Sequence, residues 1–334
     1  MSQWSQRQPD MPLSGERINL VWEQVGHLSP DPQSIGPLPG VNVVSPTWFH
    51  LADEEGRLRN TADYRYVKWA HAQNIRVWGL VSNSFDPDLT SKVLNSRKAR
   101  RAMIRNILTY AEIYDLDGIN IDFENVFYED RDIFTQFVRE LVPLAHRKGL
   151  TVSIDITMIS SSPTWSMFYD RRALAEVVDY VMLMAYDEHW AASPVAGSVA
   201  SLPWVESGLR RVLEEVPADK LVLGIPFYMR IWEETTDSDG QTKVSSRAVG
   251  IRWFQEHYAD RADSIEWDAE TGQHYLEYEE EDATYRIWIE DAESLQSRLA
   301  VVHKYDLAGV AAWRRGLETP ETWEMIRDAM RWWP

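Results

Sequence analysis

The chain contains no cysteine among its 334 residues, which excludes disulfides, thiolate metal sites and a thiol nucleophile. No apolar run approaches the roughly 18 residues that a membrane span needs. Cations are in the minority: 34 Lys and Arg against 52 Asp and Glu leave a formal net charge of −18. Nucleic acid is a poor partner for such a surface, because neutralising phosphates takes clustered Lys and Arg. Neither G-x-G-x-x-G nor a Walker A run is present, which counts against a dinucleotide or nucleotide fold. No Ser sits in a nucleophile elbow. The eight His are scattered, without the H-x-H at a strand end that a zinc amidohydrolase would show. Residues 1–17 are polar and lack the apolar core of a secretory signal. They read as an N-terminal extension on a protein either of the cytoplasm or delivered without a cleaved leader.

What is present is a regular alternation. Strand-like runs fall at 18–25 (INLVWEQV), 41–49, 76–83, 118–124, 151–158, 180–187, 221–228 and 309–313. Helical stretches fall between them at 63–73, 89–114, 130–148, 169–178 and 202–215, with a last one at 320–332. Gly149 stands where a helix C-cap would. Eight mostly apolar strands alternating with helices predict a (β/α)8 barrel over 18–333. Residues 232–291 break the rhythm. They are polar and acidic, with antiparallel strands expected at 264–267, 273–278 and 284–289. This reads as a small α+β insertion after strand seven, with the acidic run 277–282 as a solvated turn.

The most informative stretch is Asp117-Gly-Ile-Asn-Ile-Asp-Phe-Glu124. Alternation along a strand puts Asn120, Asp122 and Glu124 on one face and apolar residues on the other. Burying an amide and two acids is costly unless they are hydrogen-bonded or used. In a barrel, chemistry sits at the C-terminal strand ends. The polar residues there are Glu23, Asn83, Asp122, Glu124, Asn125, Asp155, Thr157, Tyr186, Asp187, Tyr228 and Arg230, with Trp313 on the last strand. An oxygen-only Mg²⁺ site from Asp122, Glu124 and Asp155 is one reading of the acids. Glycoside chemistry, in which a carboxyl of raised pKa protonates a leaving oxygen, is the better one. No cofactor or metal is therefore expected. Sixteen Trp and fourteen Tyr suit a sugar-binding cleft, although most must be core.

These motifs resemble family 18 of the glycoside hydrolases, the chitinase family. Asp117 to Glu124 closely resembles its D-x-x-D-x-D-x-E signature, Met184-Ala-Tyr-Asp187 its strand-six motif, and Leu223-Gly-Ile-Pro-Phe-Tyr228 with Arg230 its strand seven. Trp313 stands at the family's strand-eight tryptophan. The wording of the strands is most similar to bacterial spore cortex-lytic N-acetylglucosaminidases. The resemblance implies a retaining hydrolase of β-linked N-acetylglucosamine in peptidoglycan, spore cortex or chitin-like glycans, acting as a monomer at the spore or cell wall. It implies Glu124 as general acid and base, with Asp122, about 7 Å away along the strand, holding the substrate's acetamide. Tyr186 would bind the acetamide oxygen and Trp313 would floor the sugar. Asp187 and Arg230 would contact sugar hydroxyls, unless they form a rim salt bridge. Asn120, Asp155 and Tyr228 complete the expected substrate contacts. Asn120 departs from the family pattern, which has Asp there. It cannot take up a proton, although its amide could hydrogen-bond Asp122, and Asp155 is placed to supply some of the lost acidity. The alternative is a sugar-binding lectin on the same barrel, which would be expected to lack Glu124.

Overall fold

The computed structural model describes residues 17–331. The extension read at 1–17 lies, apart from Arg17, outside the described residues. In chain order the first half comprises β1 (Ile18–Glu23), β2 (Val43–Pro46), β3 (Phe49–Leu51), β4 (Leu58–Asn60), α1 (Tyr64–Ala72), β5 (Arg76–Ser82), α2 (Pro87–Asn95), α3 (Arg97–Ile113), β6 (Gly118–Asp122), α4 (Arg131–His146) and β7 (Thr151–Thr157). The second half comprises α5 (Arg171–Ala175), β8 (Tyr180–Met184), α6 (Leu202–Val212), β9 (Leu221–Pro226), β10 (Tyr228–Thr236), β11 (Thr242–Gly250), α7 (Ile251–His257), β12 (Glu266–Asp268), β13 (Gln273–Glu280), β14 (Ala283–Ile289), α8 (Ala292–Lys304), β15 (Gly309–Trp313) and α9 (Pro320–Arg331).

Eight of these strands close a parallel (β/α)8 barrel. They run β2-β1-β15-β9-β8-β7-β6-β5, and β2 pairs back with β5. All six residues of β1 are buried, as expected of a parallel strand covered on both sides. Inside the barrel, Ile18, Leu20, Trp22, Trp78, Leu80, Met182, Val222 and Ala311 form one apolar cluster. Trp22 and Trp78 are fully buried within it, as in a barrel whose interior is a packed core.

Local chemistry sets the helix ends. Asp63 caps α1 by accepting from the Arg65 N–H, and Asp86 caps α2, with Pro87 in its first turn. The helix expected at 89–114 is two helices. Ser96 is extended, and its side chain accepts from the Ala99 N–H, which ends α2 and starts α3 within one residue. Gly149 takes φ 72°, as its C-cap reading requires. The helix expected at 169–178 shrinks to α5.

Beyond β9 a five-stranded antiparallel sheet runs β11-β10-β14-β13-β12. Three of its strands match the expectation. The β10–β11 hairpin was not expected, because β11 is a largely exposed edge strand without an apolar face. The acidic run is also corrected: Glu277 to Glu280 lie in β13. Glu277 stands opposite Arg286 of β14, whose guanidinium bridges it at 2.5 Å and Glu234 at 3.0 Å. Cross-strand cations make an acidic strand tolerable.

Candidate active site

The C-terminal strand ends open into a cleft of about 830 Å³, floored by Asp122, Glu124, Asp155, Tyr186 and Trp313. β6 delivers its face in the expected order. Asn120 sits lowest and is fully buried. Its Oδ1 accepts from Trp22 Nε1 at 2.9 Å and Ser45 Oγ at 3.2 Å. Its Nδ2 donates to Ser153 Oγ at 2.9 Å and Asp155 Oδ1 at 2.7 Å. Both amide hydrogens are thus engaged, so the expected bond from Asn120 to Asp122 does not form. Asn120 lies beneath the cleft, not on its wall, and positions Asp155.

Asp155, buried and beside Asp122, has its carboxyl pushed well above the usual range by burial and then by the Asp122 charge. Burial raises Asp122 to about 6, and a hydrogen bond from Asp155 pulls against that rise. The two act as one titrating unit, in which Asp155 is the harder to ionise. The acidity absent at Asn120 therefore stands one strand further on. Glu124 is raised well above its ordinary value, first by burial and then by Asp122 and Asp187. A carboxyl in that environment holds its proton more tightly than a free one does.

Glu124 lies just past the end of β6, and its backbone is clamped. Asn83 Oδ1 accepts from the Glu124 N–H at 3.0 Å, and Asn83 Nδ2 donates to the Glu124 carbonyl at 2.7 Å. The Tyr169 hydroxyl donates to the preceding Phe123 carbonyl at 2.7 Å. Asn125 then turns the chain with φ 55°. Tyr186 and Tyr228 meet edge to face at 6.2 Å, and the Tyr228 hydroxyl donates to Asp187. The rim salt bridge between Asp187 and Arg230 is not formed. Arg230 instead donates to Ser246 Oγ at 3.1 Å and lies beside the cleft, not in it. Glu23 is also away from the cleft, held by Arg315 and Tyr66.

The sequence profile of glycosyl hydrolases family 18 matches residues 41–318. The chain belongs to this family. It is 26% identical over 291 residues to the uncharacterized glycosylase YvbX of Bacillus subtilis, covering 84% of this chain and 82% of that protein. It is 28% identical over 265 residues to the cortical fragment-lytic enzyme of the same organism, covering 77% of this chain and 61% of that enzyme. The chain thus spans about three-fifths of that relative's length. The C-terminal domain of a presumed chitinase from Desulfitobacterium hafniense DCB-2 superposes with TM-score 0.82 at 26% identity, over 94% of this chain and 98% of that one.

With family 18 membership in hand, the cleft walls take on meaning. Phe85, Trp165, Trp190 and Trp204 line it beside Trp22 and Trp313. Trp190 is 58% exposed and Phe85 55%, and an exposed apolar patch beside polar groups suits a ligand surface. All four stand outside the strands, where no alternation pointed to them. For the three tryptophans the only signal was the high tryptophan count, and Phe85 had none. Among the described residues, no group of three or more acidic or imidazole side chains is disposed to hold a metal ion.

The Asp155–Asp122 pair makes a pH prediction. In the role expected of it Asp122 is an anion, so activity should fall as pH drops through about 6. Asp155→Ala removes the donor that favours the anion, and the acid limb of kcat/KM should move up by roughly one pH unit. Asp155→Asn can still donate through its amide and should leave that limb in place. Identical limbs in the two variants would show that Asp155 does not tune Asp122.

Proposed function

We propose that the chain is a retaining β-N-acetylglucosaminidase acting on peptidoglycan or spore-cortex glycan by substrate-assisted catalysis. The observation that carries this reading is the pair of buried carboxyls, Asp122 and Glu124, set at the end of β6 on the cleft floor beside Asp155, Tyr186 and Trp313. Burial raises both, the charges of Asp122 and Asp187 add to the rise at Glu124, and the bond from Asp155 favours the Asp122 anion. Glu124 would protonate the glycosidic oxygen as the substrate's 2-acetamido carbonyl attacks the anomeric carbon and the leaving sugar departs. The Asp122 carboxylate would accept from the acetamide N–H, whose acidity rises as the ring closes, and the Tyr186 hydroxyl would donate to its oxygen. Water, deprotonated by Glu124, would then open the ring from the same face, giving net retention. Trp313 would floor the reacting sugar, with the exposed aromatics guiding the chain on either side. The cortical fragment-lytic relative favours peptidoglycan as the glycan.

Mass spectrometry of products from cortex fragments tests this reading. Every new reducing end should be N-acetylglucosamine, and fragments whose acetamide has been removed should resist cleavage. New muramic reducing ends, or cleavage of the de-N-acetylated chain, would overturn it. Intact fragments that nonetheless bind would favour the lectin.

A further inference from the structure

Beside the main cleft lies a second, smaller hollow of about 260 Å³, which shares Asp187, Tyr228 and Trp313 with it. Its remaining wall includes Arg230 from β10, the end of β11, and Arg314, which follows Trp313. Two guanidinium groups therefore face one small space in a chain of net charge −18. Neither forms an ion pair among the described residues. Arg230 spends one nitrogen on Ser246, and its buried Nε has no partner. Arg314 makes a single long hydrogen bond, 3.4 Å, to the carbonyl of Arg315. The next arginine shows what satisfaction looks like here, since Arg315 is bound by both of its ends to Glu23. The one carboxylate lining the hollow, Asp187, is engaged by the Tyr228 hydroxyl.

Half-buried guanidinium groups without a direct ion-pair partner are costly. Burial pulls the Arg314 group below its ordinary range, against the opposing charges of Glu23 and Glu318. A planar fork with free N–H donors matches a carboxylate in two-point geometry. The hollow opens on the same aromatic floor as the cleft, so its occupant is carried by the same glycan.

We infer that Arg230 and Arg314 form a subsite for a carboxylate carried on a sugar next to the bond that is cut. A muramic 3-O-lactyl group has this chemistry where its carboxyl carries no peptide, and a polymer of N-acetylglucosamine alone does not. The inference rests on the proposed glycosidase function and narrows it, because the pocket would select an acidic glycan over a neutral one.

The test is a cycle between enzyme and substrate. Wild type and Arg314→Gln are assayed on peptidoglycan strands with free muramic carboxylates, and on the same strands after amidation with methylamine. For wild type, amidation should lower kcat/KM by about ten- to a hundred-fold, the scale of a charge-assisted hydrogen bond. Arg314→Gln should be nearly indifferent to it, and Arg314→Lys should recover part of the preference. A wild type that ignores amidation, or a variant that loses as much as wild type, would overturn the subsite. Binding of both strands to Glu124→Gln, followed by calorimetry, separates this from the function itself. Carboxylate preference in binding without any wild-type cleavage would uphold the subsite and sink the hydrolase reading. Cleavage with no such preference would do the reverse.

Discussion

Replacing Glu124 by Gln is expected to lower kcat on N-acetylglucosamine glycans by about a thousand-fold or more, while binding changes little. Loss of a positioned general acid typically costs about 10²–10⁴-fold, and here the same group would also serve as the base for water. Gln keeps the shape and can still donate a hydrogen bond, but has no proton to transfer. The residue is well placed for such a clean test, because Asn83 and Tyr169 hold the backbone around it. The pH profile gives a second reading. Glu124 must be protonated to act, so wild-type kcat/KM should fall as pH rises through its elevated pKa. That alkaline limb should vanish from whatever residual activity the variant keeps. A variant with near wild-type turnover would remove Glu124 from the chemistry altogether.

Replacing Arg298 by Met should have the largest effect on stability. Arg298 in α8 and Glu290 before it form an ion pair whose side chains are 2% and 0% exposed. Arg298 Nη2 also donates to the Ala200 carbonyl at 2.7 Å. Gln273 Nε2 donates to Glu290 at 2.9 Å and Ser294 Oγ at 2.8 Å. The network joins the inserted sheet to a barrel helix. Breaking one partner of such a pair costs about 3–5 kcal/mol, because the other is left charged and buried. The loss should depend on pH with a definite sign. Burial already raises Glu290 above its ordinary value despite Arg298, and without Arg298 it should rise further. The folded state then holds the proton more tightly than the unfolded chain does, so stability falls as pH rises. Urea midpoints should show a smaller deficit at pH 5 than at pH 8. Glu290→Gln in the same chain should recover most of the loss. A deficit that is independent of pH would mean that packing, not charge, is what was lost.

The barrel was legible because its strands are covered on both sides and read as apolar runs between breaks. The strand that carries the candidate acids was legible for the opposite reason, since its polar residues recur at period two where burial should forbid them. Ser96 was missed because the amphipathic pattern continues across it, although the backbone does not. β11 was missed because an exposed edge strand has no apolar face to display. The acidic segment of β13 looked like a turn because the arginine that neutralises it belongs to the next strand. Asn83 could be picked out as a polar strand end, but its partner, the Glu124 backbone, lies 41 residues away. Asn120 was recognised as the departure from the family signature. That its amide reaches Asp155 and not Asp122 depends on how β6 and β7 register, with Asn120 opposite Ser153.

The way the inserted sheet joins the barrel bears on how this protein could be rebuilt. Only Phe227 separates β9 from β10, and its N–H donates to the Trp313 carbonyl at 2.8 Å. Tyr228 and Arg230, which face the cleft and its side hollow, are therefore already part of the sheet. So are Ala248 to Gly250 at the end of β11. The sheet is not a cassette that can be exchanged at its visible borders. A chimera cut at Pro226 would import the donor's substrate selectivity along with its sheet. One that aims to keep selectivity must make its first crossover after Arg230 and retain the end of β11.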